Sequence, residues 1–169
     1  MKEFLRLTVW GILLFFLQSF VFSRMGILGV GNIFVYLLFF LIMPLKVRSI
    51  PLMIIAFIYG LLLDMLTYTY GIHAFSCTLM VAVRSILLPL IFDKDDLENG
   101  NRMFIGFSFG YYRYVLLMLF IYCLSVFLLQ DFSLKYILLQ ALKALVSTIA
   151  SFIVMFFLNI TILRGYNER

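Results

Sequence analysis

Long apolar runs, cut by short polar breaks, make up almost the whole chain. The runs cover about Leu5–Phe22, Val30–Leu45, Ile50–Leu66, Gly71–Phe92, Tyr111–Leu129 and Tyr136–Leu163. Most approach the roughly 20 residues a helix needs to cross about 30 Å of hydrocarbon. The pattern predicts an all-α polytopic membrane protein: one integral domain, a six-transmembrane-helix bundle. The second run is the weakest. Its strictly apolar part is short, and Gly26, Gly29 and Gly31 precede it, so it is expected to be re-entrant at its start, matched by local thinning of the bilayer, or buried in the bundle. Pro51 suits the first turn of the third span, where no N–H is needed. Pro89 is placed to kink or end the fourth.

Composition agrees. Of 169 residues, 65% are hydrophobic and 12% charged, against about 45–50% and about 25% in an ordinary soluble domain. The net charge of +5 comes from single basic residues between apolar runs. No basic patch tracks phosphates, so nucleic acid is not an expected partner and membrane lipid is. With both termini on one side, that side holds eight Lys and Arg near span ends, against Arg24 and Lys135 on the other. The positive-inside rule makes both termini cytoplasmic, and with them the acidic stretch Asp93–Arg102. The N-terminal run reads as an uncleaved first span. Cys77 and Cys123 sit inside apolar runs without metal-ligand spacing, and are expected to be small buried hydrophobes.

Few polar residues remain inside the spans. Asp64, Arg84 and Lys143 carry charge, with Arg113 near the start of the fifth. Such groups face protein or water and normally have partners. His73, Ser76, Cys77, Met80 and Arg84 fall on one helix face. Gln140, Lys143, Ser147 and Ser151 form a second stripe, Gly60 and Asp64 a third, Gly11 and Gln18 a fourth. Stripes of this kind also line plain helix–helix contacts in membranes. From helical rise, Asp64 lies about 9 Å and Lys143 about 10 Å below the outer edge, with Arg84 deeper. An Asp64–Lys143 ion pair is therefore expected. No nucleophile–base motif, Walker motif or zinc motif occurs, so no enzymatic activity, cofactor or metal is expected.

The run Gly60-Leu-Leu-Leu-Asp64, a short turn, then Gly71-Ile-His73-Ala74 resembles the signature of the rod shape-determining protein MreD family. The basic turn Lys46-Val-Arg48 before Pro51 fits as well. Many members have Pro-Asp entering the second span, where this chain has Gly31-Asn32. The resemblance implies a bacterial inner-membrane scaffold of the cell-wall elongation machinery, without chemistry of its own. It implies MreC as partner, with MreB filaments, RodA and its transpeptidase as indirect ones. It also implies a fold like the substrate-binding component of energy-coupling-factor transporters. A solute- or vitamin-binding membrane component is the alternative. Against it, the outer loops are short, and the single Trp, Trp10, falls on the inner half. Interaction or structural candidates are Gly60, Asp64, Gly71, His73, Arg84 and Lys143.

Overall fold

The computed structural model describes residues 2–22, 26–27, 31–43, 47–92, 109–130 and 136–167. Of residues 2–7, 26–27 and 159–167 it describes the backbone only. The acidic stretch 93–102, and residues 24, 46, 135 and 169 of the charge count, lie outside this set.

The described chain is almost entirely helical. Helix α1 spans Lys2–Phe20, α2 Leu38–Ile42, α3 Ser49–Thr67, α4 Ile72–Ile91, α5 Phe109–Gln130 and α6 Ile137–Asn167. Four of these, α3 to α6, are long and apolar enough to cross a membrane; α1 has a shorter apolar stretch, Thr8–Phe20. They expose Ile50, Ile54, Phe57, Met65, Leu138, Ile149 and Phe157 among many other large apolar side chains. A surface of that kind needs a nonaqueous cover. The chain is a membrane protein. Its interior holds α4, α5 and α2, with α3 packed on α4 and α6 on α5.

Pro51 lies in the first turn of α3, as expected. Pro89 lies inside α4, which continues to Ile91. The second expected span departs furthest from a helix. Gly26–Ile27 (β1) and Gly31–Asn32 (β2) pair as a small antiparallel hairpin. Extended chain follows, then α2, which is five residues long and wholly buried. Tight turns lead into it, from Leu38 N to Val35 O and from Phe39 N to Tyr36 O.

Non-helical backbone at membrane depth must have its polar groups satisfied by protein. Here side chains supply what a neighbouring strand would. The Gln18 carboxamide donates to Ile33 O at 2.9 Å and accepts from Val35 N at 2.8 Å, bridging one edge. On α6, Ser147 Oγ accepts from Asn32 N at 3.0 Å and Ser151 Oγ from Phe34 N at 2.9 Å. The spacings match. Four residues of helix rise about 6 Å, and two residues of strand about 6.7 Å. Gly31 lets the strand approach, since a Cβ there would meet Ser147 Oγ at 2.8 Å.

Candidate functional site

Helices α3 and α4 form a hairpin that contains most of the sequence-predicted candidates. Gly60 is where their backbones meet. A Cβ at Gly60 would lie 2.5 Å from Ala74 Cα and 2.6 Å from His73 O. One turn further along α3, the Asp64 carboxylate reaches the start of α4. Its Oδ1 accepts from His73 N at 3.0 Å and from Thr69 Oγ1 at 2.6 Å; its Oδ2 accepts from Ala74 N at 2.8 Å. The first amides of any helix lack intrahelical acceptors. A carboxylate also suits the positive end of the helix dipole. Asp64 therefore caps α4 from the preceding helix, a task usually done by the residue at the helix's own N-cap position. That position is held by Gly71, whose φ of +88° is in the left-handed region and which has no side chain to cap with.

The turn between them is tight. Tyr68 and Tyr70 also have positive φ, 57° and 42°. Asp64 O accepts from the amides of Tyr68 and Thr69, closing the end of α3. Thr67 Oγ1 donates to Leu63 O at 2.9 Å and lies 2.7 Å from Thr69 Oγ1. Tyr68 and Tyr70 are 85% and 100% exposed, which suits rings that sit at a membrane–water boundary.

His73 is buried and carries the site inward. Its Nδ1 lies 2.6 Å from Tyr122 Oη on α5. Tyr122 Oη lies 2.6 Å from Tyr36 Oη, and Tyr36 Oη 3.1 Å from Cys77 Sγ. This buried chain ties α4, α5 and the segment before α2 together. Its protons run one way or the other: Tyr122 donates to His73, or accepts from it. Tyr36 stacks on Tyr59, whose Oη donates to Gly11 O at 2.6 Å, so α1 is joined to the same cluster.

A cavity of about 150 Å³ opens beside this chain. It is lined by the ends of α1 (Gln18), α3 (Leu63, Thr67), α5 (Gln130) and the start of α4 (His73), with Phe22 just past α1, Thr69 of the turn and Asn32 and Phe34 of the strand run. Six of these nine residues are polar and none is charged.

Gly60, Asp64, Gly71 and His73 thus belong to one interlock. Arg84 does not. It is buried eleven residues further along α4, donates from Nη2 to Met43 O at 2.8 Å beyond α2, and lies beside Tyr114. Lys143 was the expected partner of Asp64; the structure instead gives the two Asp64 oxygens the α4 amides of His73 and Ala74 and the Thr69 hydroxyl. Lys143 is half-buried on α6 with interactions of its own. If capping is the role of Asp64, the stability losses of Asp64→Asn and Lys143→Met should add to within about 0.5 kcal/mol in the double variant, as for independent sites. Melting in detergent measures this; a double variant that loses much less than the sum restores the pair.

The stripe His73, Ser76, Cys77, Met80, Arg84 is buried throughout, as the spacing predicted. Sequence reasoning missed Tyr36 and Tyr122, which lie in apolar runs and read as aromatic filling. The available signal was that a phenol deep in such a run needs a partner for its hydroxyl. Tyr122→Phe should cost about 1–3 kcal/mol, because it strands His73 Nδ1 and leaves the Tyr36 hydroxyl with the Cys77 thiol alone. Adding Tyr36→Phe should cost less than that variant does alone, since the two share a bond. A strictly additive pair in a double-mutant cycle would show the chain is not coupled.

Among the described residues, no group of three His, Cys, Asp or Glu is placed to hold a metal ion. No family model, curated protein or solved structure matches this chain.

Proposed function

We propose that the protein is a non-enzymatic scaffold of the bacterial cell-wall elongation machinery, an MreD-like inner-membrane protein that binds MreC. Through MreC it would link MreB filaments to RodA and its transpeptidase. The observation that carries this reading is the interlock. The residues that resemble the family signature, Gly60, Asp64, Gly71, His73 and Ala74, act on one another as a single structural device. A further support is how the core uses its polar groups. Asp64, Gln18, Ser147 and Ser151 are all engaged in holding backbone.

The reading includes six membrane passages, cytoplasmic termini and a bundle like that of energy-coupling-factor substrate-binding components. The polar cavity favours a second reading, a solute-binding transporter component. Purification of the tagged chain from bacterial membranes separates the two. A single-pass protein with a periplasmic coiled coil, MreC, is expected to come with it. An ATPase partner or a tightly held vitamin-like molecule would overturn the scaffold reading.

A further inference from the structure

The cavity at the turn end of the α3–α4 hairpin points to a binding site for a neutral, hydroxyl-rich group, such as a sugar or polyol headgroup. This goes beyond the scaffold reading and does not rest on it.

The argument begins with size and position. About 150 Å³ is far more than the roughly 10–15 Å³ a cavity needs to hold one water. The lining comes from the ends of α1, α3 and α5 and the start of α4. The cavity therefore sits at one end of the bundle, beside the turn that carries the exposed Tyr68 and Tyr70.

Its backbone is unusual too. The non-helical run that contains Asn32 and Phe34 forms part of the wall. Irregular backbone within a membrane domain is tolerated where it is packed in protein or lines a cavity. In transporters such broken segments form the ligand sites.

The chemistry of the lining selects the ligand class. No charged side chain is among the described residues of the wall, and Asp64 behind Thr69 has both oxygens occupied. The described wall therefore offers no charged side chain of its own to an anion or a cation. Asn32 and Gln130 each offer a carboxamide, a donor beside an acceptor, which suits adjacent hydroxyls. His73 has committed Nδ1 to Tyr122, which leaves Nε2 as its polar atom for the cavity. Phe22 and Phe34 supply apolar faces for C–H groups.

The single histidine makes the test direct. The full chain, labelled with ¹⁵N-histidine, is placed in phosphatidylcholine nanodiscs and observed by NMR. One arm adds a monoglucosyl diacylglycerol to the bilayer; the other adds free glucose or glycerol to the water. A saturable shift of the His73 signals is expected in one arm, and the arm identifies the source as lipid headgroup or free polyol. Asn32→Leu removes a cavity carboxamide and leaves the backbone bond to Ser147. It should weaken binding about tenfold, the equivalent of about 1.4 kcal/mol. Gln130→Ala, at an exposed position, provides the same test should Asn32→Leu fail to fold. No saturable shift in either arm, as for a cavity that holds only water, overturns the proposal. So does a shift of equal affinity in the wild type and the folded variants.

Discussion

Asp64→Ala is expected to lower stability by about 3 kcal/mol or more, among the largest losses of any single substitution in the chain. The variant removes the acceptor for His73 N, Ala74 N and the Thr69 hydroxyl together. A buried donor left without a partner costs about 1–3 kcal/mol, and two of these three are backbone groups that cannot turn elsewhere. Asp64→Asn makes the comparison sharp. An asparagine side chain has one acceptor oxygen and one NH₂. Whichever way it turns, the NH₂ faces an α4 amide, donor against donor. The amide variant should recover only part of the loss despite near-identical shape. Melting in detergent, with hydrogen exchange at the amides of His73 and Ala74, measures both effects. Full stability in Asp64→Asn would mean that the carboxylate does not cap α4 through both oxygens.

Gly60→Ala should be comparably damaging, although alanine is the better helix former. The added methyl would occupy space held by Ala74 Cα and N and His73 O at 2.5–2.7 Å. These are backbone atoms, so no side chain can rotate away. The two helices must separate. Overpacking of this kind costs about 1–3 kcal/mol, and separation also draws the amides of α4 away from Asp64. The two substitutions should therefore be non-additive, with Gly60→Ala/Asp64→Ala losing less than the sum of the single losses. A Gly60→Ala protein that melts at or above the wild-type temperature would show that the helices do not touch at this point.

The comparison of sequence with structure is uneven, and the reasons are physical. The boundaries of α3, α4 and α5 match the apolar runs within about two residues, as expected when helices are delimited by where apolar sequence stops. The face bearing Gly60 and Asp64 was readable from i,i+4 spacing. The partner of Asp64 was not. Depth along the helix brought Lys143 to the same level, but the unsatisfied amides of the next helix begin only nine residues further along the chain and are closer. Residues 31–37 were legible only as a weak second span. Hydropathy registers that this segment is buried. It does not register that Gln18, Ser147 and Ser151 satisfy the segment's backbone groups. Ser147 and Ser151 stood out as a polar stripe on one helix, but nothing local showed what they held.

The two serines have a consequence for biogenesis. Asn32 and Phe34 find their hydroxyl partners 115 and 117 residues later in the chain. A membrane protein made from its N-terminus delivers α6 last, so the strand run emerges long before its outer edge can be satisfied. Until then, water or headgroups must solvate those amides at the bilayer surface. Those two bonds close only when α6 is in place. Assembly ends with closure of an early segment by the final helix, and a chain stopped before Ser147 has no means of completing its own interior.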